Sequence, residues 1–156
     1  MHYSRRQFLQ HSASWGVFSV FAVTGLLKPG VAMAQWPHDD FATANLEQTL
    51  QTLFHDREII DSNQITIKAP KTAENGANVP VTIKSDLDNI GKVYLLAEKN
   101  PVPLVAEFAL SPAVAVYLKA RIKMAESSDV IVIADTGEQL LRASRTVKVS
   151  VGGCGG

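Results

Sequence analysis

Between Val114 and Met124 the chain alternates with a period of two: Val114, Val116, Leu118, Ala120, Ile122 and Met124 interleave with Ala115, Tyr117, Lys119, Arg121 and Lys123. A strict alternation of this length places apolar side chains on one face and wet ones on the other, so it predicts a half-buried antiparallel strand. The same period recurs at Ile65 and Ile67 against Thr66 and Lys68, and at Val79, Val81 and Ile83 against Pro80, Thr82 and Lys84. Short apolar runs at Val93–Ala97, Leu104–Leu110 and Val130–Ala134 read as further strands, as does Leu141–Val151 with its polar Arg142, Ser144, Thr146, Lys148 and Ser150. Asn100-Pro101, Ser111-Pro112 and Asp135-Thr136-Gly137 punctuate them with turn chemistry. About seven short strands at near-regular spacing predict a mainly β fold, an immunoglobulin-like antiparallel β-sandwich.

A different period precedes the strands. Leu46, Leu50, Leu53 and Phe54 fall at helical spacing, which predicts a short N-terminal amphipathic helix within Phe41–Phe54, lying against the main domain. The sandwich is expected over residues 62–151 and the helical segment over 35–61.

Residues 1–34 carry the three parts of a targeting segment. Ser4-Arg5-Arg6-Gln7-Phe8-Leu9 supplies paired arginines before two apolar residues, Trp15 to Leu27 is a modest apolar stretch, and Ala32-Met33-Ala34 offers a small-x-small cleavage pattern ending at Ala34. Arg5 and Arg6 followed by Phe-Leu resemble a twin-arginine (Tat) signal, an address for cargo exported already folded. Gln10 stands where a basic residue is usual, and a general secretory signal is the alternative. Either route predicts an extracytoplasmic destination, the periplasm for Tat cargo. Cleavage removes Arg5, Arg6 and Lys28 and no acidic residue, leaving 12 basic and 15 acidic side chains, a net charge of −3. Nucleic acid is an unexpected partner for such a chain.

Few side chains are left to carry chemistry. The chain has one cysteine, and only His38 and His55 lie beyond Ala34. A metal site of Cys154, His38 and His55 would require a tail and a helix to converge. Asp129, Asp135 and Glu138 superficially suggest an acid pair, and turn and surface chemistry accounts for them better.

After Val151 come Gly152-Gly153-Cys154-Gly155-Gly156. Four glycines impose no steric bar to positive φ and leave the thiol as the only side chain of the segment. Three residues past Val151, the Cys154 backbone can reach roughly 10 Å beyond the fold. A lone cysteine in an exported protein is either half of an intermolecular disulfide or a reactive thiol. No Lys, Arg or His lies within five residues, and the expected terminal carboxylate of Gly156 opposes thiolate formation, so the thiol is not activated by its own sequence neighbours. Three readings follow: a carrier holding substrate on Cys154, a thiol redox enzyme scavenging peroxide or persulfide, or a structural module dimerised through Cys154.

The glycine-flanked cysteine, the paired-arginine leader, and the stretches Val79-Pro80-Val81-Thr82-Ile83, Glu98-Lys99-Asn100-Pro101 and Arg121-Ile122-Lys123-Met124 together resemble the SoxY family, the sulfur carrier subunits of the bacterial thiosulfate-oxidising Sox system. The resemblance spans essentially the whole chain. It implies a non-catalytic carrier with no cofactor of its own, in which Cys154 is the covalent attachment site and Gly152, Gly153, Gly155 and Gly156 form a swinging arm. It further implies a heterodimer with a SoxZ-like subunit, and service to a SoxAX-like c-type cytochrome, a SoxB-like sulfate-releasing hydrolase and a sulfane dehydrogenase. The Pro112-Ala113-Val114-Ala115-Val116 segment is more apolar than the family pattern, as a strand edge covered by a partner would be.

Overall fold

The computed structural model describes residues 41–42, 44–111 and 115–151. They form one helix and nine strands: α1 (Leu46–Phe54), β1 (Ile59–Asp61), β2 (Ile65–Lys68), β3 (Thr72–Ala73), β4 (Val79–Ser85), β5 (Lys92–Ala97), β6 (Leu104–Ala109), β7 (Val116–Ile122), β8 (Ser128–Asp135) and β9 (Leu140–Val149). One sheet runs β1-β9-β8-β5-β6 with β3 also paired to β9, and a second runs β2-β4-β7. The expected mainly β, two-sheet architecture with one short helix is what the chain adopts.

The helix begins at Leu46 rather than near Phe41 because Asn45 closes a capping box there. Its Oδ1 accepts from the Gln48 backbone N–H at 2.8 Å, while its own N–H donates to Gln48 Oε1 at 3.3 Å. Leu46, Leu50, Leu53 and Phe54 then face the larger sheet and join Tyr94, Leu96, Leu104, Ile131, Ile133 and Leu140 in a minor core. Phe54 meets Tyr94 edge to face at 4.9 Å between centroids, a geometry that adds roughly 0.5–1.5 kcal/mol beyond area burial.

The main core lies between the sheets, where Val79, Val81 and Ile83 of β4 meet Val93 and Leu95 of β5 and Val130 and Val132 of β8. β5 and β8 therefore have a sheet on one side and the helix-covered core on the other, which explains their unbroken apolar runs. β4 and β7 bury one face only, and their sequences alternate.

Two strands were not expected. β1 pairs parallel with the start of β9 and β3 parallel with its end, between which the chain crosses as β2 to the other sheet. At three and two residues they are too short to display a period. The sandwich is thus antiparallel except along one edge of β9, and β1 brings part of the 35–61 segment into the sheet. Asp61 of β1 and Arg142 of β9 reinforce that pairing with a two-pronged ion pair at 2.7 and 3.0 Å.

Candidate functional site

The site is built from the last strand upward. β9 is hydrogen-bonded to β8 from Leu140–Asp135 to Val147–Ser128, and its final residues continue into a separate set of bonds. Lys148 N–H donates to Lys71 O at 3.0 Å and Ser150 N–H to Ala73 O at 3.0 Å. On the other side the Ser127 hydroxyl accepts from Val149 N–H at 2.8 Å. Val151 O then accepts from Gly76 N–H at 2.8 Å, and Gly76 O from Met124 N–H at 2.7 Å. Backbone hydrogen bonding is therefore maintained up to Val151, a residue that remains 65% exposed.

The loop that supports this root is fixed by Asn100. Its amide donates to Lys123 O at 2.8 Å and accepts from Ala125 N–H at 2.9 Å, joining the Glu98–Pro101 and Arg121–Met124 stretches in space. The neighbouring Arg121 guanidinium donates to Asn78 Oδ1 at 3.0 Å, and the Asn75–Asn78 turn carries Gly76. Sequence reasoning noted both stretches without assigning them this supporting role. An amide that bonds two main-chain groups of a distant loop leaves no local signature.

Cys154, with Gly152, Gly153, Gly155 and Gly156, lies outside the described residues, as do Arg5, Arg6, Ala34 and His38 and the Pro112–Val114 part of the alanine-rich segment. His55 is described and caps the C-terminus of α1. Among the described residues no group of three His, Cys, Asp or Glu side chains could hold a metal ion. Asp129 and Asp135 stand near opposite ends of β8, roughly 20 Å apart at about 3.3 Å per residue, and form no acid pair. Asp129 accepts from the Thr146 hydroxyl, and Asp135 accepts from Gly137 N–H in the hairpin turn. Arg57 holds Asp135 with two bonds of 2.9 Å and pulls its carboxyl below the usual carboxylate range.

A second feature is an open groove of about 970 Å³ beside α1, lined by Leu46, Asp61, Glu98, Asp129, Arg142 and Ser144 among others. It uses the Arg142–Ser144 stretch of β9, whereas the root of the glycine segment uses Lys148–Val151. Its acidic groups are already engaged: Asp61 with Arg142, Asp129 with Thr146, and Glu98 Oε2 with Asp129 N–H at 3.3 Å. It therefore presents no free carboxylate pair for acid–base work.

Compared with known proteins, residues 50–154 match the family model described as sulfur oxidation protein SoxY. The chain belongs to the SoxY family. The match ends on Cys154 itself. The structure is also similar to that of the sulfur carrier protein SoxY from Chlorobium limicola f thiosulfatophilum, at 34% identity and a TM-score of 0.63, over 69% of this chain and 97% of that one. A superoxide reductase (neelaredoxin) from Ignicoccus hospitalis shares 19% identity over 56% of this chain and 80% of that one, with a TM-score of 0.44. No curated protein sequence matches. The root described above is followed in sequence by Gly152-Gly153-Cys154.

Proposed function

We propose that the chain is a periplasmic sulfur carrier, exported by the Tat route, that holds thiosulfate-derived sulfur on Cys154 and presents it to partner enzymes. The observation that carries this reading is the family match through Cys154, joined to a fold that is hydrogen-bonded up to Val151. A firm root followed by residues free to take positive φ suits a thiol that must enter other proteins' clefts.

The loading step joins the Cys154 thiol to the sulfane sulfur of thiosulfate. An S–S bond forms, the thiol proton leaves to water, and two electrons pass to a SoxAX-like c-type cytochrome. A SoxB-like hydrolase then cleaves the terminal sulfur–sulfur bond with water, releasing sulfate and two protons and leaving a persulfide anion on the arm. The carrier supplies the attachment point and the partners supply the catalysis. A SoxZ-like subunit completes the carrier, and a sulfane dehydrogenase is a further consumer of the persulfide.

Intact-mass measurement of the mature protein after incubation with thiosulfate and its partners tests the reading. The expected result is sulfur-bearing adducts confined to Cys154 and lost in Cys154→Ser, which keeps the wild-type melting temperature. Peroxide turnover by the protein alone would favour a redox enzyme, and an unexchanging disulfide dimer a structural role.

A further inference from the structure

The outer face of the smaller sheet carries Lys68, Lys84, Lys119 and Arg121, and none of its outward positions on β2, β4 and β7 is acidic. The register brings these cations together: Lys84 lies opposite Tyr117, and Thr82 lies between Lys68 and Lys119. Tyr117 sits among them 53% exposed, with Lys84 Nζ 4.7 Å and Lys119 Nζ 5.3 Å from its ring centroid. None of the three ion pairs among the described residues uses any of the four cations. Like charges on one sheet face repel and destabilise, so a face that keeps them unneutralised while the mature chain is net acidic is explained by something outside the fold. A tyrosine with a wet ring and flanking cations is also an interface side chain by composition.

The face is continuous with the root of the glycine segment. Arg121 bonds Asn78, and the turn holding Asn78 bonds Val151 through Gly76. A protein lying on this face would thus reach Val151, the residue that precedes the glycine segment.

We propose that the outer face of β2, β4 and β7 is the docking surface for an acidic surface on a protein that receives the arm, with Lys84, Lys119 and Arg121 steering the encounter and Tyr117 at the centre of the contact. This rests on the carrier reading, and it adds where such a partner binds and the charge it presents. Nucleic acid fits less well, because the rest of the mature chain is net negative and would repel phosphates beyond this one face.

The test uses the full mature chain and the purified c-type cytochrome partner, with binding measured against ionic strength and, separately, adduct formation on Cys154. Lys84→Glu with Lys119→Glu should weaken cytochrome binding about tenfold, chiefly by slowing association, and flatten its salt dependence. Lys84→Arg with Lys119→Arg should bind as wild type, and alkylation of Cys154 by iodoacetamide should be the same in all three proteins. Equal binding by wild type and the glutamate variant, or no binding by wild type, overturns the docking proposal. Absence of the Cys154 adduct in wild type instead overturns the carrier reading. Binding of a single-stranded oligonucleotide that competes with the cytochrome and is abolished by the glutamate variant would show that the face takes nucleic acid, and overturns the acidic-protein proposal.

Discussion

Arg57 stands just past the His55 cap of α1 and reaches the β8–β9 hairpin, where its guanidinium meets Asp135 with two bonds of 2.9 Å and Gly137 O at 3.2 Å. The pair ties the helix end to the start of the long last strand. Because Arg57 holds the Asp135 carboxyl below its ordinary value, protonation works against the fold. The stabilisation is fully present above the unfolded carboxyl value of about 3.9 and disappears as pH falls through the lower folded value. Asp135→Asn should therefore lower the melting temperature at neutral pH, with the gap to wild type closing below roughly pH 4. Thermal melts across that range check it; a gap that stays constant into strong acid would show that the carboxylate charge is not what matters. Tyr117 is a parallel case on the other sheet: Lys119 hydrogen bonding and the nearby Lys119, Lys84 and Lys68 charges lower its hydroxyl from the ordinary tyrosine value, another sign of the cationic field there.

Among the elements, the glycine arm is the one whose composition asks for a functional test. Gly153→Val and Gly155→Val each add a β-branched side chain and remove the positive-φ conformers. Transfer from the cytochrome partner is expected to fall about tenfold, or ~1.4 kcal/mol of transition-state stabilisation, while alkylation of Cys154 by a small reagent stays near the wild-type rate. Equal rates with the partner would mean that the glycines serve only as a tether. The proposed arm rests on the local signal of glycines around a lone thiol and lies outside the described residues. β4 and β7, which alternate, and the helix, whose leucines repeat at helical spacing, were legible in sequence. β1 and β3 were not, since their hydrogen bonds come from pairing with β9 rather than from any pattern of their own. The arm's root was equally hidden: Ser127, Asn100 and Gly76 act through contacts with chain distant in sequence.

For the molecule as a whole, the proposed Tat route would impose an order on export and assembly, because it accepts cargo that has already folded. Arg5→Lys with Arg6→Lys should leave the precursor in the cytoplasm, since a planar guanidinium pair offers a hydrogen-bonding geometry that ammonium groups do not. Fractionation followed by blotting reads the result, and normal periplasmic accumulation would favour the general secretory route. Under the proposed function, the folded carrier would be handled through one end of β9. That strand is bonded along one edge to β8 and along the other to β1 at its start and β3 at its end. These bonds lie across the strand direction. A tug delivered through Val151 along β9 therefore loads the ladders together in shear instead of peeling them apart one by one, so a partner drawing on the arm strains the whole seam at once.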